Sequence, residues 1–208
     1  KSSSANNNIN KFNKFNFGNN VKDKSFSKYI SSNKALSLFY DYINSDFFLT
    51  LINDFLLKNH IELKIGQNEN SNIKNLIKRF FKNESKSKFD FEFSLIPANN
   101  GFILPHTDGW NKILSFVIPI IDDDKIYEAK NIGTKIYKPK KNEYKFNLYN
   151  KTVPFEDTEE IREMPFRKNQ MYMHVKTFNS LHGVGPIQYN NDSPIYRKSI
   201  SMFLINNS

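Results

Sequence analysis

A chain of 208 residues can bury one sizeable core and is short for two, and its 20 Phe and 10 Tyr among 38% apolar residues supply ample surface for that core, which excludes a wholly disordered chain. Lys and Arg outnumber Asp and Glu by 30 to 21, a formal charge of +9, but the lysines are scattered along the chain, so a solvated surface is expected in place of a nucleic-acid face. The absence of cysteine excludes disulfides, thiolate metal sites and a Cys nucleophile, leaving His, Asp and Glu as the only strong metal ligands.

Residues 1–34 are rich in Asn, Ser and Lys, with Phe12, Phe15 and Phe17 as the strong apolar points, and are read as an irregular N-terminal arm. Residues 35–208 are read as one domain, with helical support over 35–85 and a β core over 86–208. Phe47, Phe48, Leu51, Ile52, Phe55 and Leu56 follow the 3.6-residue stripe of an amphipathic helix, and Ser45 is placed to cap it. His60, just behind that stripe, is expected at the C-terminal cap. Ile73, Leu76, Ile77, Phe80 and Phe81 repeat the pattern, and both helices are expected against the outside of a sheet.

At Phe89 the period changes to two, with Phe89, Phe91, Phe93 and Leu95 alternating with Asp90, Glu92, Ser94 and Ile96 as in a strand, and Pro97 to Gly101 reads as a turn. Further strands are expected near 102–106, 112–120, 133–137, 170–176 and 195–205. Helices first and many short strands afterwards describe a mainly β (α+β) chain, an antiparallel sandwich or jelly roll with helices on one face. The charged, poorly periodic segment 138–165 is expected as a lid or an excursion over the barrel mouth. No apolar run approaches the roughly 18 residues of a membrane span, and Lys1-Ser2-Ser3-Ser4 lacks a signal-peptide pattern, so a cytoplasmic protein is expected.

Four histidines exist, His60, His106, His174 and His182. His106 and Asp108 stand two apart at a strand end, so both side chains project from one face and can take adjacent positions on one metal ion. His182 ends a strand and enters the Gly-rich bend Gly183-Val184-Gly185-Pro186; by itself it reads more readily as a loop histidine bonded to backbone than as a ligand. In the strand from Tyr196, Arg197, Ser199, Ser201 and Phe203 share one face. A guanidinium and two hydroxyls are costly in a dry core and make sense if an anion sits there, since the planar fork of arginine matches a carboxylate and Ser199 can add a hydrogen bond. The alternative for Arg197 is an exposed strand edge.

His106-x-Asp108, a distant His182 after Ser180-Leu181, and Arg197-x-Ser199 on the following strand, in this order, resemble the 2-oxoglutarate/Fe(II)-dependent dioxygenase superfamily and within it the prolyl-hydroxylase-like branch. The resemblance runs from Phe91 to Ile205. It includes the strand Lys112 to Ile120, and Gly133-Thr134-Lys135-Ile136-Tyr137, similar to the family's Gly-Gly-x-Thr-x-Phe strand with one Gly in place of two. It implies a double-stranded β-helix in which His106, Asp108 and His182 hold Fe(II), 2-oxoglutarate chelates the metal with its far carboxylate on Arg197 and Ser199, and O2 takes the last position. Succinate and CO2 are released as a C–H bond is hydroxylated, with ascorbate as reductant. Two departures stand out. Ile118, Pro119 and Ile120 occupy the place where several members put a Tyr that helps hold the oxoacid, and Arg197 stands where the procollagen-modifying branch has Lys, which argues against a collagen-type substrate.

The substrate class stays open between a peptidyl residue and a small molecule. Outside enzymology the rival reading is a cupin-like metal-binding jelly roll without turnover. Trp110 is read either as a wall of the substrate pocket or as cover over the barrel rim. His174, alternating with Met171, Met173 and Val175, is read as a strand histidine facing away from the metal.

Overall fold

The computed structural model describes residues 14–18, 24–61, 89–147, 149–190 and 194–205. In chain order these form β1 (Phe15–Gly18), α1 (Lys24–Ser32), α2 (Lys34–Ile43), α3 (Asp46–Lys58), β2 (Phe89–Pro97), β3 (Ile103–His106), β4 (Lys112–Ile120), β5 (Thr134–Pro139), β6 (Thr158–Met164), β7 (Tyr172–Val175), β8 (His182–Val184) and β9 (Tyr196–Ile205). The chain divides into two compact units, one of Lys1–Val21 with Asp90–Ser208 and one of Lys22–Phe89. None of the described helices is long and apolar enough to cross a membrane.

The helical unit is built from local signals. Ser45 starts α3, its Oγ accepting the Phe48 N–H at 3.2 Å, while Asp46 in the first turn and Lys58 in the last complement the helix dipole. Phe48, Leu49, Ile52 and Leu56 form the buried stripe. Beyond the C-cap Asn59, His60 takes φ 56°, its N–H donating to the Leu57 carbonyl and that of Ile61 to the Leu56 carbonyl, the two bonds of a Schellman motif. His60 therefore closes the helix through its backbone. The expected irregular arm instead contains β1 and α1, and α2 follows at once, capped by Asn33 accepting from the Leu36 N–H. Phe26 and Ile30 of α1 are deeply buried, a one-turn apolar pair that Ser- and Lys-rich surroundings conceal. The helix expected over 73–81 lies outside the described residues.

The strands form two antiparallel sheets. One has the order β1-β2-β9-β4-β7, the other β3-β8-β5-β6. β6 falls inside the segment expected as an excursion. Its residues 159–163 are exposed, it carries three glutamates and an arginine, and it stands at the edge of its sheet, where solvent hides the period of two and charge blunts further pairing. The remainder of 138–165 includes short 3-10 turns at Asn142–Tyr144 and Phe155–Asp157.

In the five-stranded sheet the alternation has an unusual sense. Glu92 and Ser94 of β2, Ser115 and Val117 of β4, His174 of β7, and Arg197, Ser199, Ser201 and Phe203 of β9 all line one cavity of about 230 Å³, together with residues of β3, β5 and β8 from the other sheet. The alternate positions Phe91, Leu114, Phe116, Ile200, Met202 and Leu204 are buried away from it. Glu92, nearly fully buried, is neutralised by Lys14 Nζ at 2.9 Å. A polar, charged wall between two sheets is expensive unless something polar occupies the space, so this side of the sheet is built for a ligand. Ile96, Ile126, Phe166, Val184, Ile187 and Tyr189 form an apolar cluster that meets the cavity at Val184 and, through Phe166, at Arg197.

Candidate metal centre

β3 and β8 are neighbours whose register sets His106 directly opposite His182, with ring centroids 4.6 Å apart. Asp108 follows two residues on, in the bend before β4. One ligand atom from each of His106, Asp108 and His182 lies within 4.8 Å of the others. With metal–ligand bonds of about 2.0–2.2 Å an ion spans roughly 4 Å between opposed ligands, so this group could hold one with little movement.

Backbone carbonyls orient both imidazoles. His106 Nδ1 lies 2.8 Å from the Leu104 carbonyl and His182 Nδ1 3.1 Å from that of Ser180. A carbonyl only accepts, so each Nδ1 carries the proton and each Nε2 keeps a lone pair for a cation. Burial holds His106 below the ordinary histidine range against the pull of Asp108. Burial and then the neighbouring His174 hold His182 well below it. For Asp108 burial opposes ionisation, yet His182, His174 and Lys112 together outweigh it and keep the carboxyl well below the usual carboxylate range. Two neutral imidazoles and one carboxylate are thus ready as ligands.

Asp108 is held from three sides. Ser115 Oγ and His174 Nε2, the latter at 3.0 Å, both donate to Oδ2, and Lys112 Nζ donates to Oδ1 at 3.1 Å. The loop between the ligands is also anchored, because the fully buried Thr107 donates its hydroxyl to the Asn147 carbonyl at 2.6 Å and the Val153 N–H donates to Pro105 at 2.7 Å. Part of the segment expected as a lid is therefore the brace of the His-x-Asp turn.

Arg197 lies in the same cavity, 2% exposed. Its Nε donates to the Ile132 carbonyl at 2.6 Å, one terminal nitrogen to Thr134 Oγ1 at 3.2 Å and the other to Ser199 Oγ at 3.5 Å, and its Cζ lies over the Phe166 ring, 4.5 Å from the centroid. Among the described residues no carboxylate comes within ion-pair distance of it. Burial pushes its pKa down to about 10, with Glu163 opposing, so it stays cationic at neutral pH. A buried, hydrogen-bonded guanidinium lacking a counter-ion is a socket for an anion.

Of the sequence-derived site residues, His106, Asp108 and His182 are brought together, and Arg197 and Ser199 share their cavity. His174 overturns its reading. It faces inward onto Asp108, its ring centroid 4.1 Å from that of His182. The two-residue period separates Tyr172 and His174 from the methionines but does not say which set faces in, and in this sheet the polar set does. Trp110 is 65% exposed and does not line the cavity. Sequence reasoning missed Ser115, Thr134 and Lys112. Ser115 interrupts an apolar run and Lys112 stands four residues after Asp108, signals that acquire meaning only when the face is known.

No family model matches the sequence, and no curated protein matches it. Among solved structures, the chain is similar to a prolyl-4-hydroxylase of Pseudomonas putida, 9% identical over 96% of each chain with a TM-score of 0.34. It is also similar to a protein of Shewanella oneidensis, 6% identical over 61% of each chain with a TM-score of 0.30. Likenesses this distant decide nothing about the chemistry, which rests on the side chains themselves.

Proposed function

We propose that this chain is an Fe(II)- and 2-oxoglutarate-dependent dioxygenase that hydroxylates a C–H bond of a small molecule or peptidyl residue, and that its two sheets form a double-stranded β-helix. One observation carries the reading: a two-histidine, one-carboxylate cluster shares its cavity with a buried arginine that has no carboxylate within ion-pair distance among the described residues. Two imidazole nitrogens and one carboxylate suit Fe(II), and a single anionic ligand leaves positive charge for an anionic chelator. When bound, Fe(II) with 2-oxoglutarate and O2 supplies oxidative decarboxylation to succinate and CO2 coupled to hydroxylation, with ascorbate as reductant.

The protein's part is placement and dryness. His106 and His182 would present Nε2 and Asp108 a carboxylate oxygen to the metal. Arg197, flanked by the hydroxyls of Ser199 and Thr134, would receive the far carboxylate of the oxoacid, a charge-assisted pairing strengthened because Phe166 and its apolar neighbours keep water from that end. A cupin-like barrel without turnover has no use for this second cation in the same cavity.

The test is succinate formation from 2-oxoglutarate with Fe(II), ascorbate and O2, screened with peptides and small metabolites for stimulation. The wild-type protein is expected to form succinate, and Asp108→Ala to lose both iron binding and turnover. A wild-type protein that binds iron but leaves 2-oxoglutarate intact throughout the screen sinks the proposal.

A further inference from the structure

We infer that His174 and Ser115 form a two-point clamp that fixes the rotamer of Asp108 for the metal, making His174 a positioning residue of the centre. The inference rests on the metal site of the proposed function and does not depend on turnover.

The register of β4 against β7 sets Ser115 directly opposite His174, so both side chains emerge toward the cavity from one cross-strand pair. They converge on the same atom, Asp108 Oδ2. Lys112 takes the other oxygen, and its ammonium lies over the Phe203 ring. A carboxylate on a bend can rotate about two side-chain torsions, and two donors on one oxygen, projecting from adjacent strands, remove that freedom. Such outer partners set the orientation in which a ligand meets its metal.

The proton assignment on His174 fits this role alone. Nε2 faces a carboxylate that only accepts, so it carries the hydrogen. Nδ1 is buried without a hydrogen-bond partner among the described residues, as a bare lone pair tolerates better than an N–H does. This reverses the arrangement in His106 and His182, where Nδ1 is tied to a carbonyl and Nε2 is left for the cation. His174 thus has its Nε2 committed to Asp108, while the two ligand histidines have theirs free of the backbone. Tyr172 stacks on its ring, with centroids 5.5 Å apart, and supports that orientation.

Co(II) is the probe, since its visible absorption reports ligand number and geometry and titration gives its affinity. His174→Phe retains a ring without a donor, and His174→Gln retains an N–H near the place of Nε2. His174→Phe is expected to weaken Co(II) binding by about 10- to 100-fold and to change the spectrum, with His174→Gln restoring wild-type affinity and spectrum. Ser115→Ala, a smaller change that serves if His174→Phe fails to fold, is expected to weaken Co(II) binding with a spectral change of the same sense. Wild-type affinity and spectrum in both His174→Phe and Ser115→Ala overturn the clamp. So does a His174→Gln spectrum with a different ligand number, which would make His174 a ligand. Co(II) binding that responds to these variants in a protein forming no succinate removes the proposed activity and keeps the clamp.

Discussion

Arg197 shows most clearly how a single residue acquires meaning from its surroundings. Among the described residues its hydrogen-bond acceptors are all neutral, which orients the buried guanidinium but does not neutralise it. Truncating one partner of a buried charge pair costs about 2–5 kcal/mol, so Arg197→Met is expected to weaken 2-oxoglutarate binding by roughly 30-fold or more, as read by calorimetry on the metal-loaded protein. The pH dependence follows from the direction of the shift. Because the folded pKa is depressed to about 10 from the ordinary arginine value, the folded state binds that proton less tightly than the unfolded chain does. The cost of the buried charge is therefore carried in full below about pH 10 and relieved only as pH rises through the window above it. Across the neutral range the socket stays cationic, and the Arg197-dependent part of oxoacid affinity, the difference between wild type and Arg197→Met, is expected to be level with pH.

At the scale of elements, the metal site depends on how closely β8 lies against β3. Gly183, between His182 and Val184, has no room for a side chain, since a Cβ there would stand 2.6 Å from the Ile103 carbonyl oxygen and 3.1 Å from the Pro105 nitrogen. All of these atoms are backbone, so the strand itself would have to move. Overpacking of this kind costs about 1–3 kcal/mol, and here the displacement falls between the two histidines. Gly183→Ala is expected to lower the melting temperature and to weaken metal binding together, measured by thermal unfolding and Co(II) titration. Metal affinity unchanged in that variant would show that the strand separation does not set the ligand spacing. By contrast α3 needs only its own sequence, with Ser45 at one end and the His60 turn at the other.

For the whole molecule, the consequence of a preformed site is that its ligands stabilise the fold. The His106-x-Asp108 pair and His182 lie far apart in the chain and only folding brings them together, so a metal binding them favours the folded state by about 2.7 kcal/mol at a hundredfold excess over its Kd. Mn(II) added without oxidant is expected to raise the unfolding temperature of the wild type, and 2-oxoglutarate to raise it further once the metal is present. His182→Ala is expected to abolish both shifts. An oxoacid shift that persists without metal would separate the arginine socket from the metal chelate.

The sequence alone determined what is local or periodic: the capped amphipathic stripe of α3, most of the strands, the pairing of His106 with Asp108, and the common face of Arg197 with Ser199 and Ser201. Each follows from a spacing of two or of three to four residues, which backbone geometry converts directly into a shared face. Tertiary structure decided which face looks inward, because a strand with polar residues on one side and apolar ones on the other can bury either, and here the polar side meets the cavity. That choice turned His174 from a bystander into a partner of Asp108 and gave Ser115, Thr134 and Lys112 their roles. It also drew β6 out of an apparent excursion, since an edge strand exposed at five consecutive residues, on both faces, carries no apolar period to betray it.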